Sequence, residues 1–303
     1  MKILITGANG MLGEKCTRLL ATKHRVLATD LHDKLIYKLE TDYRKMDITK
    51  PEEIENIISE FQPDWVVNCA AYTNVDGAET DRETAWQVNA VGPMNLVAAL
   101  RKSNTPIIQI STDYIFDGVN GPYRENDPVK PINYYGETKL AGERAVLESG
   151  LPATVFRTNV LFGSSTNQEA SFVYWVVNKL SHREPINVVN DQFGNPTWAD
   201  GLAQVIEMAI ERGINGLYHY GGADYINRLE FALQIAAVFE LDPTLIRAVS
   251  TRSLNQKAPR PFRAGLICEK IQSEFGIHLY SVKEALTNMK EKQFEVISNH
   301  TDI

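Results

Sequence analysis

Along the first 160 or so residues, short apolar runs alternate with stretches in which apolar positions recur every three or four residues. The runs Lys2–Thr6, Arg25–Thr29, Trp65–Asn68, Ile107–Ser111 and Ala153–Arg157 are rich in β-branched residues. They have the pattern of strands buried on both faces of a parallel sheet. Between them, Pro51–Phe61 places Ile54, Ile57, Ile58 and Phe61 on one helical face, with Pro51 suited to the first turn. Parallel strands need a crossover helix, so the alternation predicts an α/β fold with a doubly wound sheet. After about residue 162 the rhythm changes. Gly163–Ala170 is polar, Phe172–Leu180 and Asp200–Arg212 read as helices, and Pro185–Pro196 reads as strand and loop. Leu217–Tyr220 is expected to return a last strand to the sheet, and Pro93 to kink the helix Thr84–Arg101.

Composition narrows the class. The chain has 303 residues, 44% hydrophobic and 23% charged, which is ordinary for a globular protein. That length buries enough surface to fold without a disulfide or metal staple. Lys and Arg number 31 against 38 Asp and Glu, and the net charge of -7 argues against nucleic acid or a membrane surface as partner. Cys16, Cys69 and Cys268 are odd in number and far apart, as thiols in a reducing compartment are. The six histidines show no zinc-like spacing, so no metal is expected. The N-terminal apolar run is too short for a signal peptide and no run could span a bilayer, which predicts a cytoplasmic protein.

The segment Thr6-Gly7-Ala8-Asn9-Gly10-Met11-Leu12-Gly13 joins the first strand to a helix. Gly7 permits a tight turn, Gly10 lets backbone approach a pyrophosphate, and Gly13 lets helix and strand pack closely. Asn9, Met11 and Leu12 lie within the same turn and count with it as cofactor contacts. Backbone N–H groups and the helix dipole then face the phosphates. Asp30 ends the second strand at the distance expected of a ribose ligand. A carboxylate there accepts ribose hydroxyls and repels a 2′-phosphate, so NAD(H) is favoured and NADP(H) remains open. The fold is thus expected to be Rossmann-type. Residues 1–162 plus about 197–222 would form its dinucleotide-binding domain. A smaller substrate lobe would take about 163–196 plus 223–303, ending in the polar tail Glu291–Ile303.

Asn133-Tyr134-Tyr135-Gly136-Glu137-Thr138-Lys139 opens a helix, and its spacing puts Tyr135 and Lys139 on one face. A phenol is a poor acid–base group at neutral pH, and a neighbouring ammonium favours the phenolate, bringing it toward the working range. Upstream, Ser111 and Thr112 put hydroxyls at a strand's carboxyl end, where open α/β sheets place ligands.

These pieces together resemble the extended short-chain dehydrogenase/reductase superfamily: the TGANGMLG turn, Asn68-Cys69-Ala70-Ala71, Ser111-Thr112-Asp113-Tyr114-Ile115-Phe116-Asp117-Gly118 and Tyr135-Gly136-Glu137-Thr138-Lys139. Ala71–Glu79, YGETKLAGE and Asn190–Thr197 make the chain most similar to the dTDP-4-dehydrorhamnose reductase family within it. That resemblance implies NAD(P)H-dependent reduction of a nucleotide-linked 4-keto sugar. Tyr135 would be the proton donor, Lys139 would hold the nicotinamide ribose, and Thr112 would bond the substrate carbonyl. It places Asp47 and Ile48 at the adenine and Ala70, Ala71 and Tyr72 along the cofactor, with Asn89 near the site and Ser111 counted with it among the cofactor-binding residues. Val75, Asp113, Tyr114, Asp191 and Gln192 become substrate-side residues, and a homodimer through the Tyr135 and Thr84–Arg101 helices is implied.

Two places depart from that family's pattern. Arg157-Thr158-Asn159-Val160 has valine where the family usually carries a tryptophan that packs on the sugar. Arg260-Pro261-Phe262-Arg263-Ala264-Gly265-Leu266 offers Arg260 and Arg263 as cations for a diphosphate. Trp198 is read as a packed aromatic. Two alternatives stay open: an epimerase or dehydratase of the same superfamily, and a non-catalytic nucleotide-binding regulatory subunit.

Overall fold

A computed structural model describes residues 1–167 and 171–298, with the side chains of 292–298 excepted. The end of the polar stretch before residue 171 and the last five residues of the tail lie outside the described residues. Six strands, β1 (Lys2–Thr6), β2 (Arg25–Asp30), β3 (Asp42–Lys45), β4 (Trp65–Asn68), β5 (Ile107–Thr112) and β6 (Ala153–Thr158), form one sheet with the strand Gly216–His219. The order is Gly216–His219, β6, β5, β4, β1, β2, β3, and every pairing is parallel. This is the expected doubly wound α/β sheet. The order reverses between β1 and β4, and a crevice opens there at the carboxyl ends of the strands.

Alternation along β1 decides which helix covers which face. Ile3 and Ile5 point to the side covered by α1 (Met11–Leu20), where they join Cys16, Leu20 and Ile206. Leu4 points the other way, into a second core with Ile54, Ile57, Ile58 and Phe61 of α2 (Pro51–Phe61). Strand β3 was not foreseen. Its residues Asp42, Tyr43, Arg44 and Lys45 form an edge, largely exposed, so no apolar run announces it.

After α3 (Val75–Ala78), the helical stretch containing Pro93 is α4 (Arg82–Trp86), a π-helical turn over Gln87–Val91, and α5 (Gly92–Leu100). The expected irregularity therefore falls one turn before Pro93. Proline has no N–H to give, and the wider turn leading into it absorbs the missing bond. Helix α6 (Tyr134–Leu147) packs against that turn and against β5.

A third core lies away from the main sheet. It draws on α7 (Phe172–Ser181), the strand Ile186–Val189, α9 (Arg228–Val238) and the helix Val282–Ser298, while α8 (Ala199–Arg212) covers the sheet beside α1. Trp198 is buried, edge-on to Tyr280 with ring centroids 4.7 Å apart, as a packing residue should be. Among the described residues no helix is long and apolar enough to cross a membrane, and no cluster of acidic, histidine or cysteine side chains could hold a metal.

Candidate active site

A cleft of about 970 Å³ runs from the glycine turn, across the ends of β4 and β5, to the third core. At its near end Gly7 holds a left-handed φ of 66°, and α1 starts at Gly10 with no side-chain cap on its first N–H groups. A Cβ on Gly13 would meet the Gly7 carbonyl oxygen at 2.0 Å, so the helix can approach the turn this closely only with glycine there. Asp30 closes this end. One carboxylate oxygen accepts from the Asn9 backbone N–H at 3.0 Å and the other lies 2.8 Å from His32 Nδ1. Uncapped helix N–H groups, a turn free of side chains and a carboxylate beyond them fit a dinucleotide.

Most expected cofactor positions line this cleft: Gly7, Asn9, Gly10, Met11, Leu12, Gly13, Asp30, Asp47, Ile48, Ala70, Ala71 and Ser111. Tyr72 and Asn89 do not. The Asn89 amide accepts from the Tyr72 N–H at 2.9 Å and donates to its carbonyl at 3.0 Å, so the pair props the wall from behind.

The chemical end is built by α6 meeting β5. Asn133 caps α6 through the Gly136 N–H at 2.8 Å and donates to the Pro259 carbonyl, tying the helix start to the C-terminal loop. A Cβ on Gly136 would lie 2.3 Å from the Tyr114 carbonyl oxygen, so this glycine lets α6 close onto the turn that follows Thr112. Thr112, Tyr135 and Lys139 share the cleft wall, and the Tyr135 ring stands edge-on to Tyr114 at 5.7 Å.

Electrostatics here differ from the expected phenol–ammonium pair. Burial pushes the Tyr135 phenol well above its ordinary range, opposed by a hydrogen bond from Thr112, and Lys139 is no part of the balance. The Lys139 ammonium instead donates to the Ile110 carbonyl at 2.7 Å, and burial lowers it to about 8 against a partial lift from Glu143. In this low-dielectric wall desolvation favours the neutral form of each group. Tyr135 is accordingly held as a protonated phenol.

Asp113 is pushed up to about 7 by burial, with Thr112, Arg228 and Asn159 acting against the rise. Thr112 donates to it at 3.1 Å. Beneath the wall lies a buried ion pair: Arg157 grips Glu143 with its nearest contact at 2.6 Å, and Ser111 donates to the same carboxylate at 2.6 Å.

On the substrate side, Val75, Asp113, Tyr114, Gln192 and Arg260 line the cleft as expected. Asp191 lies outside the lining, its carboxylate accepting from the Thr251 N–H at 3.0 Å. Arg263 does not join Arg260. It is exposed, in a stretch bridged to Phe193 that turns Ala264 and Leu266 inward and so faces Arg263 outward. Arg260 is partly buried and pairs with Asp76 at 2.9 Å. Val160 lines the cleft with a left-handed φ of 42°, which a β-branched residue rarely adopts. Sequence reasoning missed Arg228, Phe172, Trp175 and Gln256, all of which line the cleft. They come from segments far apart along the chain, and no local motif marks them.

Known proteins carry the same construction. The model of the RmlD substrate binding domain family matches residues 1–294. A dTDP-4-dehydrorhamnose reductase of Aggregatibacter actinomycetemcomitans is 34% identical over 304 residues, covering 95% of this chain and 98% of that one. A crystal structure of a dTDP-4-dehydrorhamnose reductase from Clostridium acetobutylicum superposes with a TM-score of 0.87 at 33% identity, covering 97% and 99% of the two chains. One from Bacillus anthracis, in complex with NADP, gives 0.87 at 30% identity over 96% and 99%. The match runs from the glycine turn of β1 into the last helix and takes in every wall of the cleft, so the chain belongs to the RmlD substrate binding domain family.

Proposed function

We propose that this protein is an NAD(P)H-dependent reductase of a nucleotide-linked 4-keto sugar, with dTDP-4-dehydrorhamnose as substrate and dTDP-rhamnose as product. The observation that carries the reading is the sharing of one cleft wall by Thr112, Tyr135 and Lys139, with the dinucleotide cradle at its near end. The full-length relatives named for that reaction support it. A reduced nicotinamide, when bound, supplies the hydride. Tyr135, protonated in its buried setting, gives its proton to the C4 oxygen as that oxygen gains charge. Thr112, whose single O–H points to Asp113 in the free protein, turns it to the same oxygen when substrate binds. Lys139, anchored on Ile110, presents its remaining N–H bonds to the nicotinamide ribose.

Asp30 at the end of β2 supports a preference for NADH, because a carboxylate beside the glycine turn accepts ribose hydroxyls and repels a 2′-phosphate. Trp86, Met94 and Leu147 leave apolar surface on α4, α5 and α6, which supports a homodimer through these helices.

The test is oxidation of NADH and NADPH by the purified protein with dTDP-4-dehydrorhamnose, for wild type and Tyr135→Phe. The variant should lose about two to four orders of magnitude in turnover and keep its NADH affinity. Full activity in Tyr135→Phe, or no turnover by wild type with any nucleotide-linked 4-keto sugar, refutes the reading.

A further inference from the structure

Four side chains able to carry positive charge line the cleft: His32, Lys139, Arg228 and Arg260. Three are engaged within the protein. His32 pairs with Asp30, Lys139 donates to Ile110, and Arg260 bridges Asp76 and the Ala258 carbonyl. Among the described residues the Arg228 guanidinium has neither a hydrogen bond nor an ion pair. It lies over the Phe172 ring, 5.6 Å from the centroid.

The backbone beneath it is firmly held. Arg228 is the first residue of α9, where Asn227 and Glu230 close a capping box, and its N–H donates to the Gln192 carbonyl at 3.2 Å. The head group is thus delivered into the cleft by a rigid helix start and left unpaired there. Its surroundings do not favour the charge: burial and the guanidinium of Arg260 oppose it, while Tyr114 and Asp113 compensate in part. A cation kept in such a place needs a counter-charge, and among the described residues no carboxylate binds it.

Position narrows the ligand. Arg228 lies against Asp113 and Tyr114 at the reacting end, and against Gln192, whose amide donates to Gln256 toward the far end. In a nucleotide-linked sugar the diphosphate joins the reacting ring to the nucleoside, so it must cross this middle stretch. A planar guanidinium matches two phosphate oxygens at once.

We propose that Arg228 grips the diphosphate of the substrate, flanked by Arg260, in the place the sequence suggested for Arg263. The inference rests on the nucleotide-sugar reading above. It makes Arg228 a determinant of substrate affinity rather than of the chemical step.

The experiment measures binding of dTDP, dTMP and thymidine to the NADH-loaded protein by calorimetry, for wild type, Arg228→Gln and Arg228→Lys. Steady-state constants with the 4-keto sugar and ligand-free melting temperatures are taken alongside. Arg228→Gln should weaken dTDP by roughly ten- to a hundredfold and leave thymidine within about threefold of wild type, with Arg228→Lys in between. KM should rise while kcat stays within about threefold, as expected for a contact made equally in ground and transition states. Without ligand, Arg228→Gln should melt no lower than wild type, since no counter-ion among the described residues loses its partner. Equal dTDP affinity in wild type and Arg228→Gln, an equal loss for thymidine, or a lowered ligand-free melting temperature overturns the assignment and leaves the reductase reading standing. Failure of wild type to bind dTDP, UDP, GDP or CDP overturns both.

Discussion

Lys139 Nζ donates to the Ile110 carbonyl oxygen at 2.7 Å, so the lysine of the cleft wall is anchored to the backbone of β5 and not to the phenol four residues before it. Burial holds Lys139 near 8, below the 10.5 of an exposed lysine. Between those two values the unfolded chain holds more protons than the native protein. This group therefore makes stability rise with pH across the window from about 8 to 10.5. Lys139→Met should lose that increment, together with turnover and cofactor affinity. Urea denaturation of both proteins at intervals through the window checks it, and an identical pH slope in the variant refutes it.

Asp113 behaves in the opposite sense. Its carboxyl titrates at about 7 in the folded protein against 3.8 in the open chain. Between those values the native state holds the extra proton, so this residue makes stability fall as pH rises from about 4 to 7. Asp113→Asn keeps an acceptor for Thr112 and removes the titration. We expect the variant to lack that fall and to exceed wild type by roughly 2–4 kcal/mol at about pH 8, measured by chemical denaturation. Matching pH profiles would contradict this account.

The Glu143–Arg157 pair is a third test. Both side chains are buried and Ser111 completes the carboxylate's bonding. Glu143→Gln leaves the Arg157 charge without its counter-ion and should cost about 3 kcal/mol of stability. A loss of less than about 1 kcal/mol by guanidinium titration would mean that the pair is no more than a surface-type contact.

At the other end of the cleft, Gly13→Ala drives a methyl group into the Gly7 carbonyl. The turn must open, and NADH affinity should fall by about tenfold or more, the cost of overpacking a rigid site. Fluorescence titration of bound NADH reads this directly. Unchanged affinity would show that the helix can move away from the turn at no cost.

The parts of this protein set by local physics were legible in its sequence. Continuous apolar runs and a three-to-four-residue period gave the buried strands and α2, and the glycines at 7, 10 and 13 with Asp30 marked the tight turn into α1. Tyr135 and Lys139 shared a helical face by spacing alone. Edge strand β3 escaped because a strand that buries little carries no hydrophobic signature. Which charges meet was decided only by tertiary structure. Asp76 finds Arg260 across 184 positions, Arg228 enters the cleft from the start of α9, and Arg263 turns to solvent where a neighbouring arginine turns inward. Lys139 donates to the Ile110 carbonyl, a partner that lies on another element 29 positions away. Such choices depend on desolvation and on long-range closure of the chain. Neither leaves a periodic trace in the order of residues, because both are properties of what surrounds a side chain and not of the residues beside it.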